Sequence, residues 1–136
     1  MKRKGFTLLE VMIVMVIISI ISSIAIPKYN NYIIKSKINS AFITLKSLVT
    51  PYEFWVEENY QNQESTQPTP ADLNLESTDS GTVKINENQL SIILKNTNQA
   101  IHGKEITLDK KNNTWVCSST LPEEYKPNQC KEKTNE

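Results

Sequence analysis

Residues 5–26 read GFTLLEVMIVMVIISIISSIAI, and the fold turns on how that run is interpreted. From Phe6 to Ile26 it holds 21 residues and a single charge, Glu10. As a helix it would be roughly 31 Å long, enough to cross a bilayer core of about 30 Å. Lys2, Arg3 and Lys4 stand in front of it with no acidic residue, a cluster that the positive-inside rule holds on the cytoplasmic side. The bulk of the chain is then expected outside. Cys117 and Cys130 fall in that outer portion, where disulfides form and persist and two cysteines suffice for one bridge. Free thiols are the alternative at both positions.

Over the whole chain the averages hide this asymmetry. The 136 residues carry 15 basic and 15 acidic side chains and are 38% hydrophobic. That length allows one domain and argues against a multidomain enzyme. The balanced charge offers no general reason to expect a nucleic-acid or anionic-membrane partner.

Three readings of the N-terminus compete. A secretory signal would be cut after Ala25, at Ser23-Ile24-Ala25, releasing a soluble binding module. Glu10 inside the apolar middle, and the length of that middle, speak against it. A plain membrane anchor explains length and orientation but not Glu10, since a carboxylate deep in lipid costs about 2.5–3.5 kcal/mol even on the mildest scale. Such a residue needs a partner. Snorkelling towards the membrane edge is the simplest alternative, because Glu10 lies only one turn inside the run.

The third reading supplies the partner. Gly5-Phe6-Thr7-Leu8-Leu9-Glu10, followed by the apolar run and by Pro27-Lys28-Tyr29, resembles the processing motif of type IV prepilins. The resemblance implies that a membrane-embedded prepilin peptidase cuts between Gly5 and Phe6 and methylates the new amine of Phe6. Residues 1–5 would be a discarded leader, 6–26 the transmembrane and assembly helix, and 27–136 the periplasmic or extracellular head. Removal of Lys2, Arg3 and Lys4 leaves 12 basic against 15 acidic side chains, a mature charge of −3. The new amine would stand one helical turn from Glu10, where a paired carboxylate is far less costly than an isolated one. The family further implies that Glu10 pairs with the amine of a neighbouring subunit and so registers each arriving copy during assembly.

Beyond Pro27 the pattern becomes one-sided. Ile34, Ile38, Ala41, Phe42, Leu45, Leu48, Val49, Tyr52, Trp55 and Val56 recur at steps of three and four, the stripe of an amphipathic helix. One long helix from Phe6 to about residue 58 is predicted, interrupted by two prolines. Pro27 predicts a kink or local opening near residues 23–27, and Pro51 a second bend or an early end. Family members often carry a glycine before the first of these prolines. This chain has Ser19, Ser22 and Ser23 instead, residues that bend a helix by bonding back to carbonyls or simply let neighbouring helices approach.

Residues 61–80 read as a loop, broken by Pro68 and Pro70. Four short runs bounded by turn residues follow, 82–86, 89–95, 104–109 and 114–118, and predict an antiparallel sheet. Val83 and Ile85, like Ile106 and Leu108, alternate with polar residues, so one face should be buried under the helix stripe. The fold class is α+β, a long N-terminal helix on a four-stranded antiparallel sheet with a C-terminal loop, the layering of a pilin. A bridge from Cys117 to Cys130 would hold that loop down, worth about 3 kcal/mol in the chain-entropy model. A disulfide-bounded C-terminal region is a common feature of type IVa pilins, whereas type II secretion pseudopilins generally lack it and the major ones tend to carry calcium.

Other constellations are sparse. His102 is the single histidine, so neither a histidine metal cluster nor a Cys-His nucleophile is supported, and no cofactor is expected. Lys104, Lys110, Lys111, Lys126, Lys131 and Lys133 form a candidate basic patch, but Glu105, Asp109, Glu123, Glu124 and Glu132 are interspersed, and no spacing resembles a nucleic-acid readout motif. Asn112-Asn113-Thr114 fits a glycosylation sequon, a frequent chance match. The expected role is structural rather than enzymatic: a type IVa pilus subunit, the major one, polymerising with copies of itself. Its expected partners are the prepilin peptidase, the inner-membrane assembly platform, minor pilins and, before assembly, the inner membrane. The alternatives are a type II secretion pseudopilin or a minor pilin, and the soluble module cut after Ala25.

Overall fold

A computed structural model describes residues 1–60, 67–75, 78–95 and 98–131. The elements run α1 (Leu8–Ser47), α2 (Val49–Tyr60), β1 (Gly81–Asn86), β2 (Gln89–Leu94), β3 (Glu105–Lys111) and β4 (Thr114–Ser119), with a 3₁₀ turn at Asn128–Cys130. Two compact units divide the chain, residues 1–34 and 35–136.

The first unit is helical from Leu8 onward, including residues 23–27. The single chain is thus assigned helix without interruption across the position where a kink or local opening is expected. Pro27 has no N–H to offer the Ser23 carbonyl, but a helix tolerates one missing rung when the flanking turns are intact. Hydroxyls bond to carbonyls nearby: Ser19 Oγ donates to the Met15 carbonyl at 2.7 Å and Ser23 Oγ to the Ile20 carbonyl at 2.7 Å.

In the second unit the helix is interrupted where Pro51 predicts. The N–H of Leu48 donates to the Leu45 carbonyl at 3.2 Å, a three-residue step, and the N–H of Tyr52 resumes the four-residue ladder at the Leu48 carbonyl at 3.0 Å. Pro51 has no donor for the Ser47 carbonyl, so α1 ends there and α2 starts at Val49. The predicted stripe is the buried one. Ile34, Ile38, Ala41, Phe42, Leu45, Leu48 and Tyr52 are buried, whereas Val49 and Trp55 are half-buried and Val56 is exposed. Burial along the stripe thus weakens after Tyr52, one turn into α2.

The sheet is an antiparallel meander in the order β1-β2-β3-β4. Register places Ile85 opposite Leu90, Leu90 opposite Leu108 and Leu108 opposite Cys117, and two residues along it places Val83, Ile92, Ile106 and Ser119 in line. With a period of two these residues share one face. Leu90, Ile92, Leu94, Ile106 and Leu108 are buried there under the helix. Each such side chain contributes about 1.5–3 kcal/mol when fully removed from water. Val83 and Ile85 lie on edge strand β1 and are only half-buried.

Turn chemistry sets the register. Asn112 and Asn113 both have positive φ, 48° and 62°, the pair that a two-residue type I′ hairpin requires. Leu73, Ile101 and Leu121, all from loops, complete the core. Of the loop predicted over residues 61–80, positions 61–66 and 76–77 lie outside the described residues, as do Glu132 and Lys133. Within it Pro68 is buried, and Thr69 and Asp72 close a small turn: the Thr69 N–H and hydroxyl both reach Asp72 Oδ2 at 2.7 Å.

Candidate functional site

Residues 1–7 are not helical, so the Gly5–Phe6 peptide lies in irregular chain immediately before α1. Phe6 is 90% exposed. A Cβ added at Gly5 would meet nothing within 4 Å, so no steric demand of this chain requires glycine at that position.

Helix α1 starts at Leu8 and not, as the sequence suggests, at Phe6. Thr7 caps it. The Thr7 N–H donates to Glu10 Oε2 at 2.8 Å, the Thr7 hydroxyl donates to the same oxygen at 3.0 Å, and the Glu10 N–H reaches back to Thr7 Oγ1 at 3.3 Å. This is a capping box, in which the residue before the helix and the third residue within it satisfy one another's donors. Sequence reasoning treated Glu10 as a carboxylate awaiting an external partner and missed the internal one, although Thr-x-x-Glu ahead of an apolar run is the recognised signal.

From Val11 to Ile26 every valine, methionine and isoleucine is more than half exposed. These residues occupy all sides of the helix, so no rotation of it hides them. The window is long and apolar enough to cross a membrane, and none of it is buried within the chain. Exposed apolar surface on this scale marks contact with lipid or with other proteins.

The second unit contains a polar cluster that the sequence did not announce. The Trp115 indole N–H donates to Glu53 Oε1 at 2.9 Å, and Lys110 Nζ pairs with the same oxygen at 3.0 Å. Lys110 Nζ also stands 5.9 Å from the Trp115 ring centroid, and the Tyr52 ring meets that ring edge-on at 5.6 Å. Tyr52 in turn accepts the Asn88 N–H on its hydroxyl at 2.9 Å. The indole N–H, followed by the Lys110 ammonium, holds the Glu53 carboxyl below its ordinary range. Glu53 and Trp115 are 62 residues apart, a pairing that no local pattern could reveal.

At the C-terminal end Cys117 and Cys130 form a disulfide, with Cα atoms 4.6 Å apart and Cys130 buried. The C-terminal lysines are interspersed with acidic partners. Lys110 belongs to the Trp115 cluster, Lys126 pairs with Glu123 at 2.8 Å, and Lys133 lies outside the described residues. His102 sits exposed in the turn before β3, and among the described residues no group of three His, Cys, Asp or Glu side chains is placed to hold a metal ion.

Comparison with known proteins gives these features a common setting. Residues 1–26 match the model of the prokaryotic N-terminal methylation motif, and residues 35–131 match the model of pilin, the bacterial filament protein. The chain is 31% identical to a fimbrial protein of Pseudomonas aeruginosa, over 93% of this chain and 92% of that one. It is also 31% identical to the type IV major fimbrial protein FimA of Dichelobacter nodosus, over 95% of this chain and 97% of the relative. With the type IV major pilin protein PilE1 of Neisseria gonorrhoeae it shares 29% identity over 88% of this chain and 78% of that one. Matched over most of its length, the chain is a member of the pilin family, a structural protein of bacterial filaments.

Proposed function

We propose that the chain is the major, repeating subunit of a type IVa pilus, made as a membrane-anchored precursor, cut between Gly5 and Phe6, methylated on the Phe6 amine and polymerised through α1. The carrying observation is the all-round exposure of the apolar residues from Val11 to Ile26. Such a surface is stable in lipid before assembly and among neighbouring copies of the same helix afterwards. Gly5 fits this account from another direction: nothing in the chain needs a glycine there, so the requirement comes from the peptidase that must admit the peptide.

Cleavage changes the partners open to Glu10. In the uncut chain its carboxylate is occupied by Thr7. Cutting before Phe6 creates a cationic amine next to Thr7, and a charged donor outcompetes neutral ones for a carboxylate in a low-dielectric setting. Glu10 then pairs with an amine, of its own chain or of a neighbour, and the pairing selects the register in which copies stack. The subunit performs no chemistry of its own. Its partners are copies of itself, the prepilin peptidase, the assembly platform and the minor pilins, and the filament serves adhesion, twitching motility or DNA uptake. The Cys117–Cys130 bridge favours this reading over a secretion pseudopilin.

Glu10→Ala tests it. Processing at Gly5 continues and the head keeps its fold, while filament yield falls to a small fraction of wild type. Normal filament yield from that variant would refute the assigned role of Glu10.

A further inference from the structure

A second candidate site lies in the head. Between α1 and the end of the disulfide-bounded loop is a cleft of about 350 Å³, the size range of small-molecule sites. Lys35 and Asn39, one helical turn apart on α1, form one wall. Tyr125, Lys126 and Asn128, with Lys131 just past Cys130, form the other. Three lysines from segments some ninety residues apart in sequence thus line one concavity.

Their charges are incompletely answered. Lys126 is held by Glu123 at 2.8 Å, with its side chain only 22% exposed. Among the described residues neither Lys35 nor Lys131 lies within salt-bridge distance of a carboxylate, and Lys131 reaches Glu123 only through its field. Glu124, which also lines the cleft, offsets one charge of the three. The Glu123 carboxyl is held below its ordinary value first by the Lys126 hydrogen bond and further by the fields of Lys126 and Lys131. Gathering like charges in a concave site is unfavourable unless an anion enters, because walls of low dielectric concentrate the field. Rigid support is present as well: Lys131 follows the buried, disulfide-bonded Cys130, and the Cys130 N–H is tied to the Pro127 carbonyl at 2.9 Å.

We infer that this cleft binds a phosphate group, with Lys35, Lys126 and Lys131 as cationic donors and the amides of Asn39 and Asn128 as neutral ones. Five donors around one concavity suit a tetrahedral oxyanion, whose oxygens accept several charge-assisted hydrogen bonds at once. The flanking Glu123 and Glu124 limit the site to one such group and exclude the backbone of a long polyanion. Two sources share this chemistry, free phosphate and the headgroup of an anionic phospholipid. Lys35 follows Ile26, the end of the apolar run, by only nine residues on the same helix.

The test uses the full-length chain, labelled with ¹⁵N, in non-ionic detergent micelles. Sodium phosphate is titrated at an ionic strength kept constant with chloride, and the side-chain amide signals of Asn39 and Asn128 are followed. The proposal expects saturable shifts there while the Trp115 indole signal, on the far cluster, stays in place. The Lys35→Gln, Lys131→Gln pair should weaken binding about tenfold or more, as expected for losing charge-assisted hydrogen bonds, and the Lys→Arg pair should retain it. A parallel measurement in nanodiscs of phosphatidylglycerol or phosphatidylcholine, without free phosphate, identifies the source. Saturation by phosphate in micelles supports a site for free phosphate. Shifts confined to phosphatidylglycerol support a lipid headgroup at the same site. No saturable shift from either, shifts matched by chloride, or unchanged affinity in a folded Gln pair overturns the proposal.

Discussion

The Thr7 N–H and hydroxyl both donate to Glu10 Oε2, at 2.8 and 3.0 Å, so the one carboxylate in the apolar run is occupied within its own chain before any other subunit arrives. The box fixes the first turn of α1 in the uncut precursor. Thr7→Ala should loosen that turn by about 0.5–2 kcal/mol, the usual cost of a lost cap. Amide hydrogen exchange of the full chain in micelles would show faster exchange at Leu8 to Val11 and unchanged exchange in the sheet. Equal protection in the variant would mean that the box does not define the helix start.

Glu53 links α2 to β3 and β4 through Lys110 and Trp115, and its carboxyl titrates below the ordinary value of 4.5. A folded value below the unfolded one means that the native state binds fewer protons in that range. The stability it contributes is complete above about pH 4.5 and is lost as pH falls through the folded value. Asp72, held low by Thr69, and Glu123, held low by Lys126, act in the same direction. Glu53→Gln should therefore lower the melting temperature at neutral pH and shallow the decline between about pH 5 and pH 3, without abolishing it. An acid decline identical to wild type would show that the Glu53 cluster carries none of it.

Gly81 opens β1 in close approach to β2. A Cβ there would overlap the Ile93 carbonyl and stand 3.2 Å from Ile92 Cγ1. Backbone on the neighbouring strand cannot rotate away as a side chain can. Gly81→Ala should cost about 1–3 kcal/mol, the range for overpacking, measured as a loss in denaturant or thermal stability. Gly5→Ala, with nothing within 4 Å, should leave that stability unchanged.

The disulfide closes a loop of sequence separation 13 that otherwise contributes one buried apolar side chain, Leu121. Replacing both cysteines by serine should lower the head's stability by about 3 kcal/mol on the chain-entropy model. The same change should raise hydrogen exchange from Leu121 to Cys130 ahead of the sheet. Unaltered exchange there would show that the loop is held by packing alone.

Much of this architecture was legible because it rests on periodicity. The strand positions of Val83, Ile85, Ile106 and Leu108 follow from alternation, and the Ile38 to Tyr52 stripe from steps of three and four, since both record burial directly. The break at Leu48 was foreseeable from Pro51, because a missing donor acts locally. What escaped was of two kinds. The Thr7–Glu10 and Thr69–Asp72 turns are local, and Thr-x-x-Glu and Thr-x-x-Asp are their readable signal. The Glu53–Trp115 bond and the cleft between Lys35 and Lys131 join distant segments, and only the folded chain brings them together. Val56, which the stripe groups with the buried positions, is exposed in α2.

The central claim is that α1 becomes an assembly helix by losing residues 1–5. Mass spectrometry of the N-terminal peptide, from protein isolated from cells carrying a pilus assembly system, tests it most directly. The account predicts a peptide beginning at Phe6 with one methyl group on its amine. A peptide beginning at Ile26, or one retaining Gly5, would contradict it.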